Sequence, residues 1–203
     1  GATRPTSFFE QLPVFPNHPG LSSPINFDLS PGGARSADDF LLPQTRTITQ
    51  IHWWGACHLQ APSSSCGAEG EDDFIFSFYG SVGNLPADLL LETTGTMLAD
   101  TAGASYAVTL DDPFTAMANT QYWLHIFNRA THEPWGWFNS ASGNNTSAFA
   151  RGANSGDWRD VPGLNVDTAF RLVIAEPGSL TIATTVFAML LSQGARLRFV
   201  GCN

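Results

Sequence analysis

Carboxylates in adjacent pairs are the strongest chemical signal in this chain: Asp38-Asp39, Asp72-Asp73 and Asp111-Asp112, followed by Asp157, Asp160 and Asp167. Carboxylate oxygens brought together by loops supply the six to eight ligands that calcium takes. Such an ion would also relieve the self-repulsion of a chain with a formal net charge of -9. The sequence-based candidate for a structural calcium is the pair Asp72 and Asp73. The competing reading puts the doublets at solvated strand ends or in turn caps, and no EF-hand spacing argues against it.

Aromatic side chains are the second signal. There are six Trp, namely Trp53, Trp54, Trp123, Trp135, Trp137 and Trp158. The run Trp135-Gly136-Trp137-Phe138 lies beside a Ser-, Gly- and Asn-rich stretch. Exposed indoles stack on sugar rings through their apolar faces, so Trp135 and Trp137 are the candidate glycan platform of a carbohydrate-binding or adhesion module, with extracellular polysaccharide as its partner. Sandwich cores absorb Trp equally well.

Catalytic constellations are thin. His52, His58, His125 and His132 fall in or near aromatic segments, with no His-x-x-x-His or Glu-adjacent ligand spacing, so packed or surface histidines are expected. Ser63, Ser64 and Ser65 lack a nucleophile-elbow context, and no Gly-rich piece has the strand-to-helix setting of a phosphate loop. The chain therefore reads as non-enzymatic, with no catalytic residue assigned. A carboxylate-dependent glycan hydrolase would need two acids about 5 to 10 Å apart in a groove.

Cys57 and Cys66 lie around a Pro-Ser-Ser-Ser stretch that bends back easily, which predicts a loop disulfide, the alternative being two buried thiols. Cys202 is left over, for an intermolecular bond or as a free terminal thiol. No Cys-x-x-Cys occurs, so zinc and redox chemistry have no support.

Those side chains need a scaffold. At 203 residues, with 43% apolar residues and 15 Phe, one domain with a sizeable core is expected. All nine basic residues are Arg. An acidic surface repels nucleic acid and anionic headgroups, so neither is an expected partner. The 19 Gly and 13 Pro favour short strands and turns over helices.

Residues 1–36 are Pro-rich and read as an extended arm, within which 25–29 alternates as a first strand. Alternating segments then recur. Residues 45–54 place Thr47, Thr49, Ile51 and Trp53 on one face. Phe74, Phe76 and Phe78 share another; 89–94 is a short strand; Tyr106, Val108 and Leu110 alternate. Tyr122, Leu124 and Ile126 oppose Trp123, His125 and Phe127, and Phe170, Leu172 and Ile174 line up in 169–175. Turns are expected at 83–86, 111–113 and 143–145. The prediction is all-β: a two-sheet antiparallel β-sandwich, jelly-roll-like, over residues 37–175, with an extended N-terminal arm and a C-terminal apolar strand.

That strand belongs to the tail, 176–203. A spanning helix needs about 20 apolar residues; the run from Leu180 to Leu191 has twelve, three of them Thr. It is rich in β-branched residues and apolar on both alternating faces, as in a strand covered on both sides. No integral membrane span is therefore expected in the mature form. Leu180, Ile182, Val186, Phe187 and Leu190 are the candidate assembly strand, packed in the chain's own sandwich or donated to a neighbour.

The tail also carries a resemblance. Glu176-Pro177-Gly178-Ser179-Leu180, an apolar stretch, then Arg196 and Arg198 resembles, in degenerate form, the carboxy-terminal sorting signal of exported bacterial proteins called PEP-CTERM. Ala175 stands where that motif's first Pro would be. Upstream, "ADDFLLP", "ITQIHWWGA", "DDFIFSFYG" and "YWLHIFN" are similar to a β-sandwich domain found ahead of such tails in planctomycete-like bacteria. The resemblance implies export from a bacterium, to the extracellular space or cell surface, with Gly1 a mature end. Together these features suggest a structural protein that self-associates as a homo-oligomer, fibre or layer through strand exchange.

Overall fold

The computed structural model describes residues 7–13, 34–57, 73–100, 105–129, 135–140, 142–144, 146–151, 158–159 and 167–174. They form eleven strands: β1 (Ser7–Gln11), β2 (Ala34–Leu41), β3 (Arg46–Cys57), β4 (Phe74–Val82), β5 (Leu85–Thr93), β6 (Gly95–Asp100), β7 (Ser105–Ala116), β8 (Gln121–Asn128), β9 (Trp135–Trp137), β10 (Ser147–Arg151) and β11 (Phe170–Ile174). One sheet runs β1-β11-β3-β7-β6, with β9 paired to the end of β3, and the other runs β10-β2-β8-β4-β5. Every pairing is antiparallel. The fold is an all-β sandwich, as the alternating pattern predicts. No helix among the described residues is long and apolar enough to cross a membrane.

Period-two alternation puts Phe74, Phe76 and Phe78 of β4, Tyr106, Val108 and Leu110 of β7, and Tyr122, Leu124 and Ile126 of β8 into one buried cluster between the sheets. Ring contacts tie it together. Trp53 stacks on Tyr106 at 5.2 Å between centroids and meets Phe74 and Phe76 edge-on, while Phe78 stacks on Phe114 at 4.3 Å. β8 is covered on both faces, because Trp123 joins Ala37, Tyr79 and Trp158 in a second cluster on the far side of its sheet.

The β4–β5 hairpin shows local chemistry at work. Gly83 and Asn84 both have positive φ, at 60° and 63°, and Val82 pairs Leu85 around them. Two such residues make the primed two-residue turn whose twist matches the strands it joins.

Three expectations are corrected. In β3 the core face is Ile48, Ile51 and Trp53, with Thr47 and Thr49 only half-buried. The ladder with β7 jumps from Ile48↔Phe114 to Gln50↔Thr109, and that irregularity shifts the alternation on one side of it. Asp111-Asp112-Pro113 is accordingly the extra length of this irregularity inside β7, not a turn between strands. Finally, residues 1–36 are not an arm throughout: Ser7–Gln11 is the edge strand beside β11, where Phe9 packs on Phe40 and Phe170, and β2 begins at Ala34. The strand expected at 25–29 and the tail strand with Leu180, Ile182, Val186, Phe187 and Leu190 lie outside the described residues.

Candidate functional site: a buried carboxylate cluster and an apolar edge

Asp38 and Asp39 are consecutive residues of β2, so their side chains start toward opposite faces of the sheet. Even so, carboxylate oxygens of Asp38, Asp39 and Asp167 all lie within 4.8 Å of one another. All three residues are buried, with exposures of 0%, 4% and 2%.

Five separate pieces of chain build this cluster. Residues 138–140 clamp the segment before β11: the Ser140 amide donates to the Asp167 carbonyl (2.7 Å) and the Ala169 amide to the Phe138 carbonyl (2.7 Å). That clamp brings Thr168 onto Asp38, whose Oδ2 accepts the Thr168 amide and hydroxyl. Gln11, at the end of β1, donates to the Thr168 carbonyl (2.6 Å) and to the same Oδ2 (3.0 Å) when its amide nitrogen faces these acceptors. On Asp39, Oδ2 accepts from Gln121 at the start of β8 and from Asn144, each at 2.9 Å. Asp167 Oδ1 accepts the Thr146 amide at 3.2 Å. Gly143 closes the loop over Asp167 with φ of 145°, and a Cβ there would overlap that carboxylate.

Electrostatics set the cost of this arrangement. Burial raises the Asp38 pKa well above the usual carboxylate value, Thr168 hydrogen bonds oppose the shift, and the like charges of Asp167 and Asp39 add to it. Burial also raises Asp39, against the hydrogen bonds from Gln121 and Asn144, and Asp167 again adds repulsion. Among the described residues neither Asp38 nor Asp39 has an ion-pair partner. Asp39 Oδ1 is buried and accepts no hydrogen bond among the described residues. Three buried carboxylates this close suit a small ion or shared protons.

The other predicted site residues fare differently. Asp73 is on the surface, with both oxygens held at 2.9 Å by the Arg129 guanidinium, which supplies a counter-charge there. Asp72 lies outside the described residues. Trp137 is a correction. It is buried in the core against Phe170, with its indole N–H donating to the Ala169 carbonyl at 2.9 Å, and offers no exposed face to a sugar. Trp135 sits in the ladder opposite Cys57, and nothing is described of either side chain; with Cys66, the predicted disulfide falls outside the described residues. His125 is buried, edge to face with Trp158.

Sequence reasoning noticed Asp38, Asp39 and Asp167 as acids without joining them. Their partners Gln11, Gln121, Asn144 and Thr168 carry no motif, and sequence separation gives no hint that they meet.

At the other side of the sandwich, β5 and β6 are the outer strands of the two sheets, and Thr94 alone joins them. β5 exposes Leu89 (51%) and Leu90 (51%), and β6 exposes Leu98 (53%) with Met97 next to it in the chain.

Compared with protein-family models and with curated proteins, the chain matches none.

Proposed function

We propose that this chain is a non-enzymatic structural protein of the cell surface or extracellular space that self-associates, with residues 180–191 of one copy adding a strand to the β5–β6 edge of the next. The carrying observation is that β5 and β6 are, among the described residues, the outer strands of their sheets and expose Leu89, Leu90 and Leu98. Such an edge invites another strand. The run from Leu180 to Leu191 supplies one that is apolar on both faces.

Strand direction favours a neighbouring copy as donor. β11 ends at Ile174, level with Ile48 and Phe114, and runs in the same sense as β7; β6 runs the opposite way and begins level with Leu110. A tail leaving Ile174 directly would enter alongside β6 in parallel, whereas a second copy can approach antiparallel like every other pair. The tail's resemblance to a bacterial export signal is the support for an exterior location.

Light scattering and electron microscopy of the full chain test this reading. Oligomers or fibres are expected, with monomers after deletion of residues 175–203 and also for Leu90→Lys with Leu98→Lys. A full chain that stays monomeric at high concentration would sink it.

A further inference from the structure

We propose that Asp38, Asp39 and Asp167 form a buried site for one calcium ion, which ties β2 of one sheet to the segment that enters β11 of the other. This inference does not rest on the assembly reading.

The first support is geometry. Two oxygens bound to one calcium at about 2.3–2.6 Å stand no more than about 5 Å apart, and the three carboxylates meet that limit within 4.8 Å. The second is the orphaned acceptor: Asp39 is 4% exposed, and its Oδ1 accepts no hydrogen bond from the described residues. A buried carboxylate oxygen with neither donor nor cation is costly. Asp38 Oδ2 is held by Thr168 and Gln11, Asp38 Oδ1 by the Asp39 amide, Asp39 Oδ2 by Gln121 and Asn144, and Asp167 Oδ1 by the Thr146 amide. The neutral donors on Asp38 and Asp39 orient these carboxylates without cancelling their charge, as groups around a metal's ligands do.

The donor set chooses the ion. All three ligands are hard carboxylates, with no His or Cys in the cluster, which disfavours zinc. Magnesium keeps several waters in near-octahedral order, whereas calcium accepts irregular, protein-supplied oxygens; burial of all three acids favours calcium.

Calorimetry on the EDTA-treated full chain, titrated with calcium chloride, gives the direct reading. Saturable binding of one ion per chain, tighter than about 1 mM, is expected, with a rise in Tm of about 5 °C at saturation and no comparable effect of magnesium chloride. Terbium, used as a calcium substitute, should give sensitised luminescence through Trp123, the ladder partner of Asp39, and calcium should quench it by displacement. Asp39→Asn should fold in EDTA and lose binding at least tenfold, while Asp111→Asn, on an exposed carboxylate, should bind like the parent. Should Asp39→Asn not fold, the parent titration decides alone. Absence of saturable binding, an equal response to magnesium, or undiminished binding by a folded Asp39→Asn would overturn the proposal. So would a calcium-blind chain whose Tm rises on acidification, which would assign the cluster to shared protons.

Discussion

The centre of the sandwich and its acidic end are both buried, and each holds a polar atom without a hydrogen-bond partner among the described residues. In the centre it is the Trp53 indole N–H; at the acidic end it is Asp39 Oδ1. The first is a neutral donor surrounded by aromatic rings, with Phe74 and Phe76 edge-on and Tyr106 stacked, so the aromatic packing around it offsets the loss. The second belongs to a carboxylate beside two others. An unpaired neutral group costs about 1–3 kcal/mol and a charge considerably more. The difference teaches that an apolar centre tolerates a small polar defect, while the acidic end calls for a proton or a cation.

Four changes would break or sharpen that contrast. Trp53→Ala, which removes a fully buried ring packed on Phe74, Phe76 and Tyr106, should cost about 3–5 kcal/mol, read from denaturant midpoints; a cost under about 1 kcal/mol would mean that the centre does not dominate stability. Gly143→Ala comes next, at about 1–3 kcal/mol, because an alanine there needs a backbone conformation close to glycine-only and would push on Asp167. Thermal unfolding checks it, and a neutral result would show the loop free to move away from the cluster. Trp137→Phe keeps the ring but leaves the buried Ala169 carbonyl without its indole donor, for about 1–2 kcal/mol.

The smallest effect is one of pH. Burial, then the neighbouring Arg171, lowers the His52 pKa, and Glu10 opposes this weakly. Arg171 is the ladder partner of His52 on one side, and uncharged Ala107 is its partner on the other. With the folded value below the unfolded one, the neutral ring's contribution is complete above about pH 6.5 and is lost as pH falls below that. His52→Gln should flatten the midpoint's slope between about pH 7 and 5; an unchanged slope would show that His52 has no part in it.

Much of the architecture was legible because burial on one face of a strand leaves a period of two in the sequence. Phe74, Phe76 and Phe78, or Tyr122, Leu124 and Ile126, declare a core face without reference to anything else. The errors came where the period breaks. Ile48 enters the core because β7 carries extra residues opposite Thr49, and Trp137 became core because β9 pairs with the end of β3 and Phe170 lies beneath it. Neither event leaves a mark in the residues concerned.

By itself, then, the sequence determined the class of fold, the core faces of β4 and β8 and the hairpin at Gly83-Asn84, since each follows from neighbours in the chain. The tertiary structure alone decided which acids are solvated and which are buried together. Asp73 and Asp39 are the same residue type in similar doublets, but one meets Arg129 on the surface and the other meets Asp38 and Asp167 inside. Proximity between residues more than a hundred positions apart is fixed by how sheets stack, and no local pattern encodes it.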